Sequence, residues 1–167
     1  RPPRSTLFPY TTLFRSRIVK DVWVVNVVAI KRGSKFPNRY IIMSGDIDSR
    51  VSDANNFTSD APGANDNASG MAGAIEAARV LSKYDFESSI VFVGLSGEEQ
   101  GLFGGKGLTA YAKENEWDIA GILNNDMIGN IKGVDGVVSN RDFRIFSEPV
   151  PPTETENQRR EIGRAHV

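Results

Sequence analysis

The sequence predicts an α/β fold of three layers, in which helices cover both faces of a mixed, mostly parallel central sheet. Segments with strand character alternate with segments of helical character along the chain. One predicted strand, "SSIVFVGL" at residues 88–95, is almost entirely apolar, as is typical of a parallel strand buried on both faces. Acidic residues follow several strands, at the position where open α/β sheets form their ligand crevices.

The two ends of the chain differ in character from the rest. "RPPRSTLFPYTTLFRS" at residues 1–16 and "EIGRAHV" at residues 161–167 match, codon by codon, translated short-read sequencing adapters. We therefore expect both ends to be adapter-derived and to pack poorly, and we assign the natural domain to residues 17–160. The alternative for the first segment is a disordered basic arm. A core strand formed by Thr6 to Arg15 would count against the adapter origin.

The composition limits the classes of function. Removing the four arginines and one glutamate of the two ends from 20 basic and 21 acidic residues leaves 16 and 20, a net charge of −4. This acidic balance argues against nucleic acid as a partner. No apolar run approaches the ~20 residues of a membrane span. The chain has no cysteine, and its one histidine, His166, lies in the C-terminal adapter match, so a disulfide or a cysteine-based zinc site is excluded.

The elements of the domain follow from periodicity and breakers. Apolar, β-branched segments predict four strands, at residues 21–33, 39–45, 88–95 and 118–126. Apolar residues at helical spacing, among them Met71, Ile75, Ala78 and Leu81, predict a helix within residues 67–84. A second helix is predicted at 107–116, and further short strands at 134–138 and 143–148.

Six acidic residues follow predicted strand ends or precede the first helix: Asp46, Asp48, Asp66, Glu98, Glu99 and Asp126. Because the carboxyl ends of neighbouring parallel strands meet at one edge of a sheet, these side chains are expected to converge. Carboxylates a few ångströms apart cannot all stay ionised without a counter-charge. Divalent cations supply that charge, and hydrolases use pairs of them ~3.5–4 Å apart.

Each acid also has a purely structural explanation when taken alone. Asp66 is a favourable helix N-cap, and Glu98 with Glu99 suits a solvated turn. Asp126 suits a turn, and Asp46 suits the start of a loop. The occurrence of all of them at successive strand ends favours the metal site.

Three other site chemistries fail on spacing. "DIDSRV" begins like a calcium loop, but Arg50 stands where the third ligand is needed. "GLSGE" lacks the last glycine of a nucleophile elbow, and residues 17–160 contain no histidine to activate Ser96. Lys106 is followed by Gly107 and Leu108, which excludes a phosphate-binding loop.

Three motifs, "PGANDNASG", "GLSGEEQGLFGG" and "LNNDMIGN", occur in that order. Together they resemble the zinc aminopeptidases of metallopeptidase family twenty-eight, which includes bacterial leucyl aminopeptidases. The resemblance runs from about Val24 to Glu148. It implies a zinc exopeptidase-like fold, here incomplete, that holds two divalent metal ions, zinc in this family.

The resemblance also implies a role for each acid. Asp66 matches the carboxylate that bridges both metals, Glu99 a ligand of one and Asp126 a ligand of the other. Glu98 matches the general base, and Asp48 an acid that orients the first ligand. It further implies a cis peptide between Asp66 and Asn67.

Two departures from the family pattern stand out. The usual His-x-Asp motif is here Asp46-Ile47-Asp48, so Asp46 is expected to bind metal in place of a histidine and to favour harder ions such as manganese. Alternatively, Asp46 faces solvent and only one metal binds tightly. A later histidine ligand of the family falls beyond residue 160, so the chain is expected to be a truncated and inactive piece of the domain.

The implied function is an aminopeptidase that hydrolyses the N-terminal bond of peptides with a free amine, in a secreted or periplasmic location. A carboxypeptidase or a glutaminyl cyclase is an alternative within the family. A non-catalytic binding module on the same fold is an alternative of another class, which the retained Glu98 disfavours.

Overall fold

The computed structural model describes residues 6–14, 22–141 and 145, with the first range and Val22 described by backbone alone. In this part of the chain five strands form one sheet: β1 Thr6–Phe14, β2 Val22–Lys31, β3 Phe36–Asp46, β4 Ser88–Leu95 and β5 Asp118–Asn124. Their order across the sheet is β1-β2-β4-β3-β5. The pairs β1/β2 and β2/β4 are antiparallel, whereas β3 pairs in parallel with both β4 and β5.

The parallel part of the sheet positions the strand ends. In the register of β3 on β4, Gly45 pairs with Gly94 and Asp46 with Leu95. On the other side of β3, Ser44 pairs with Asn124 of β5. The carboxyl ends of β3, β4 and β5 therefore lie side by side at one edge, as predicted.

One face of the sheet carries the main apolar core. Val28, Ile42, Val91 and Val93 are each at most 2 % exposed and pack with Leu108. Leu108 belongs to helix α2, Phe103–Glu114. The core is closed near the amino ends of the strands by Trp117, whose ring stacks on Tyr40 at 4.3 Å between centroids.

The opposite face carries helix α1, Gly70–Leu81. Side chains alternate along a strand, so Gly94 faces away from the Val93 core, and a Cβ on Gly94 would meet the Met71 side chain. Helices thus cover both faces, and the α/β class with a mixed sheet is confirmed. Ile75, one of the apolar residues whose spacing predicts this helix, is 63 % exposed, whereas Ala74 is buried.

The element bounds shift at two helices. Helix α2 begins at Phe103, earlier than the predicted start at Gly107. Gly104 lies against the backbone of Ser96, where the Cβ of any other residue would clash. The glycines that indicated a loop instead allow a close approach. Helix α1 is preceded by an irregular helical turn, Ala64–Ser69.

The strand β1 lies within the first 16 residues, which were expected to be adapter-derived and to pack poorly. Its backbone pairs with β2 from Thr6↔Ile30 to Phe14↔Val22. Edge pairing requires only backbone N–H and C=O groups, which any segment able to extend can supply. By the criterion given above, a strand over Thr6–Phe14 counts against an adapter origin of residues 1–16, although it pairs only at the edge of the sheet. That origin stays a prediction, and residues 161–167 lie outside the described part.

Residues 131–141 belong to a second compact unit, which begins at Ile131. Lys132 and Val138 form an isolated antiparallel bridge around a turn, where a strand at 134–138 was predicted. The predicted strand at 143–148 lies outside the described residues except for Ile145. Within the described residues, no helix has the length and apolar character that crossing a membrane requires.

Candidate metal centre

The turn after β4 is held by a carboxylate from the loop after β3. Asp48 accepts hydrogen bonds from the backbone N–H groups of Glu98 and Glu99, at 3.1 and 3.2 Å. Both oxygens of Asp48 are used in this way, so the turn that carries the two glutamates is fixed against β3. The sequence anticipated a positioning role for Asp48, but towards the first ligand; that second role stays a prediction.

Glu99 has a cation beside it. Arg50 Nε lies 2.8 Å from Glu99 Oε2, and the Glu99 side chain is only 11 % exposed. This ion pair compensates part of the negative charge at the end of β4. From the sequence, Arg50 served only to exclude a calcium loop, and its contact with Glu99 was not predicted. The position of Arg50 directly after "DIDS", close to two of the acids in sequence, could have indicated it.

Asn67 is a buried amide between two of the acids. Its side chain donates to Asp46 Oδ2 at 3.1 Å and to the Asn125 carbonyl at 2.9 Å. Its Oδ1 accepts from the N–H groups of Gly70 and Met127, each at 3.2 Å. The peptide bond between Asp66 and Asn67 is cis, as the family resemblance implies.

The acids border an open cleft of about 190 Å³ at the strand ends. Asp46, Glu98 and Asp126 line it together with apolar side chains of Leu95, Leu102 and Ile122. Asp46 is only 6 % exposed overall, so the alternative that it faces solvent is wrong.

Burial and mutual repulsion raise the pKa of four of these carboxyl groups. For Asp46 the main cause is burial, opposed by the Asn67 hydrogen bond and reinforced by the charges of Asp126 and Asp48. For Asp126 the causes are burial and the charge of Asp66. The acids therefore act on one another, although they come from separate segments of the sequence.

The two glutamates show the same behaviour. The pKa of Glu98 is raised by burial and then by the charges of Asp46, Glu99, Asp48 and Asp126. The pKa of Glu99 is raised by burial, an effect that the Arg50 charge opposes. Of the other five acids, all except Asp66 contribute to the raised pKa of Glu98.

The donor set suits a divalent cation by its chemistry, because mutually repelling, partly buried carboxylates are stabilised by a positive ion. The positions of these side chains, however, do not form a complete metal site. Among the described residues, no three His, Cys, Asp or Glu side chains stand in a group that could hold a metal ion. Two of the predicted ligands have other partners: Glu99 forms an ion pair with Arg50, and Asp46 accepts a hydrogen bond from Asn67.

The six predicted site residues thus lie in one region, but the structure supports their predicted roles to different degrees. Asp46, Glu98 and Asp126 share the cleft, Asp48 fixes the turn, and Glu99 lies on that turn. Asp66 is exposed and caps neither helical segment, whose N-caps are Gly63 and Ser69. Ligation by Asp46, Asp66, Glu99 and Asp126 stays a prediction.

Comparison with known proteins gives a consistent family. A model of peptidase family M28 matches residues 26–147. A protein of Pyrenophora teres f. teres named a probable zinc metalloprotease is 41 % identical over 158 residues, which are 95 % of this chain and 33 % of that protein. A Leptosphaeria maculans protein of the same description is 42 % identical over 146 residues, 87 % of this chain and 34 % of its own. The chain thus spans about a third of the length of these relatives.

Solved structures agree. The aminopeptidase from Aneurinibacillus sp. strain AM-1 superposes with a TM-score of 0.51 at 35 % identity, over 64 % of this chain and 25 % of that one. The zinc aminopeptidase of Bacillus subtilis gives 0.53 at 27 % identity, over 66 % and 25 %. A glutaminyl cyclase from an Acidobacteriales bacterium gives 0.59 at 18 % identity, over 75 % and 46 %, which shows a shared fold alone.

Proposed function

The chain belongs to peptidase family M28, and from that membership we propose that its domain is a metal-dependent aminopeptidase acting on peptides with a free N-terminus. The observation that carries the proposal is the Glu98–Glu99 turn, which Asp48 holds at the same cleft as Asp46 and Asp126. The names of the relatives support zinc and proteolysis, and the two structural matches above 25 % identity support the aminopeptidase type.

In this proposal Glu98 is the general base that takes a proton from the attacking water. A base works best when its pKa lies near the operating pH, and burial with four neighbouring acids moves the pKa of Glu98 upwards in that direction. Asp48 keeps Glu98 in place through the backbone. The negative field of the cluster attracts the ammonium group of a free N-terminus.

The proposed metal ligands are Asp46, Asp66, Glu99 and Asp126, which would hold two divalent ions, zinc by analogy with the relatives. When bound, such ions supply Lewis acidity to the scissile carbonyl and to water. Arg50 contacts Oε2 of Glu99, so a metal ion would bind Glu99 through Oε1 or would displace Arg50 from Oε2.

The test uses the protein that carries this segment at the length of its relatives. We expect chelator-sensitive hydrolysis of an aminoacyl chromogenic amide and none of the same amide with an acetylated amine. Glu98→Gln should lower kcat about 10²-fold or more, the range of a lost general base. Equal turnover of the acetylated amide would contradict the aminopeptidase assignment. Metal content without turnover of either amide would support the alternative of a binding module.

We also propose that the 167-residue chain itself does not turn over peptides. It spans about a third of its relatives, and the family resemblance places one ligand beyond residue 160. Chelator-sensitive release of an amino acid by the purified chain would overturn this. A secreted or periplasmic location is part of the same proposal, and fractionation of the native host for the protein tests it.

Asp46 is proposed as a ligand in place of the family's histidine. Because an anionic oxygen replaces a neutral nitrogen, the site should favour manganese more than a histidine-containing site does. Metal content of the longer protein and of its Asp46→Ala variant tests this. Two ions bound with unchanged affinity in the variant would exclude Asp46.

A glutaminyl cyclase activity is the second candidate, since that enzyme of the Acidobacteriales bacterium shares the fold. Cyclisation of an N-terminal glutamine peptide, followed as loss of ammonia, would favour it over hydrolysis.

A further inference from the structure

Asn67 has the fullest set of contacts in the candidate centre, although it carries no charge. Its side chain has two N–H donors and one oxygen with two acceptor sites. All four are used, by Asp46, Asn125, Gly70 and Met127, at 2.9–3.2 Å. The residue is 2 % exposed.

These contacts connect three separate elements. Asp46 ends β3, Asn125 and Met127 flank Asp126 after β5, and Gly70 opens α1. The approach is close, since a Cβ at Gly70 would overlap the Asn125 carbonyl oxygen. One amide therefore holds the carboxylate of Asp46 and, through the backbone on both sides, the position of Asp126.

We propose that Asn67 is a positioning residue that fixes Asp46 and Asp126 relative to each other and thereby sets the affinity of the acidic cleft for a divalent cation. The statement about affinity rests on the proposed function, whereas the statement about position does not. An amide suits this place because an aspartate could not donate to Asp46, and an apolar side chain would remove all four hydrogen bonds. Gly70 N–H would keep the Asn67 carbonyl as a partner and Asp46 the Asn124 side chain.

The test compares Asn67→Leu with Ser89→Ala in the 167-residue chain. Ser89 is a matched control because it is 0 % exposed and bridges Gly33 N–H and the Pro37 carbonyl at the opposite end of β4. Two readouts are used: amide hydrogen exchange of Gly70 and Met127, and broadening of the amide signals of residues 46 and 126 by Mn²⁺.

We expect Asn67→Leu to speed exchange at Gly70 and Met127 selectively and to weaken Mn²⁺ binding about 10- to 100-fold, the range seen when groups that orient metal ligands are lost. Ser89→Ala should change neither beyond its effect on global stability. If Asn67→Leu does not fold, Asn67→Ala, which leaves space for water, is measured instead.

The outcomes separate the two proposals. If Mn²⁺ broadens no amide signal of the unsubstituted chain, the proposal that this chain binds a divalent cation is wrong. The hydrogen-exchange data alone then test the positioning role of Asn67. Unchanged exchange in the Asn67 variant, or a loss of affinity no greater than that of Ser89→Ala, overturns the positioning role. Loss of the fold in both Asn67 variants overturns it in favour of a purely structural amide.

Discussion

Strands β4 and β5 occupy equivalent places on either side of β3 and differ sharply in burial. Both pair with β3 in parallel, Ile90 of β4 beside Ile41 and Ile122 of β5 beside Ile42. In β4 the six central residues are buried, whereas no residue of β5 is. Both sequences are apolar, so neighbours decide the difference: β4 has β2 on its other side, and β5 ends the described sheet.

The comparison extends to the acids that follow each strand. Glu98, after β4, is influenced by four acids, whereas the pKa of Asp126, after β5, responds to burial and to Asp66. The interior strand therefore carries the carboxyl group whose pKa is raised by the larger number of neighbouring acids. The four predictions below test how far this contrast between β4 and β5 holds.

The largest effect is expected from truncating isoleucine in the two strands. Ile90 is 7 % exposed and Ile122 is 59 % exposed. Ile90→Ala should lower the free energy of unfolding by about 2–5 kcal/mol, because it leaves a cavity in the core. Ile122→Ala should cost less than about 1 kcal/mol, through strand propensity alone. Urea unfolding measures both, and equal losses would show that β5 is as well packed as β4.

The pH dependence of stability is the next effect in size. In the metal-free chain Asp46, Glu98, Glu99 and Asp126 have pKa values raised by folding. The folded state therefore keeps protons that the unfolded state has lost, so these groups favour folding below their ordinary pKa values. That contribution disappears as pH rises from about 4 through the raised values.

Thermal unfolding in chelator at increasing pH tests this. The four acids should lower the midpoint as pH rises from about 4. In the exposed pair of Glu76 and Arg79, Arg79 lowers the pKa of Glu76, so this pair favours folding as pH rises. Solvent screens the interaction, so its contribution to stability is small. Glu76→Gln should therefore leave the pH profile almost unchanged. A midpoint that rises steadily up to pH 7 would contradict the prediction.

Removing single charges at the two strand ends should give smaller effects. Glu98→Gln should raise the thermal midpoint of the metal-free chain at pH 7, because burial and four acids disfavour the charged form. Asp126→Asn should raise it less. The reverse order would mean that the repulsion is centred at the end of β5.

The smallest change in stability is expected for Arg50→Gln. Arg50 is half-exposed, so loss of its ion pair with Glu99 should cost about 1 kcal/mol or less. The pKa of Glu99 should rise further, because the Arg50 charge now lowers it. Carboxyl ¹³C titration measures this shift, with Lys35→Gln as a control on the exposed Lys35–Glu87 pair. An unchanged or lower Glu99 pKa would contradict the electrostatic role.

By itself the sequence determined the fold class and the location of the acids. The run "SSIVFVGL" predicts a buried strand over the same residues that form β4, since removing apolar surface from water is favourable. Acids placed directly after apolar strands gather at one edge, because parallel strands share their direction. The cis peptide before Asn67 was anticipated only through the family resemblance that the motif around Asp66 carries.

Only the tertiary structure decided which side chains contact one another. Asn67 meets Asn125 from 58 positions away, and Asp48 meets Glu98 from 50; no local pattern encodes such pairs. The early start of α2 depends on how closely Gly104 approaches Ser96. Burial of β4 and exposure of β5 follow from their neighbours in the sheet, because an apolar strand is buried only where other elements cover it.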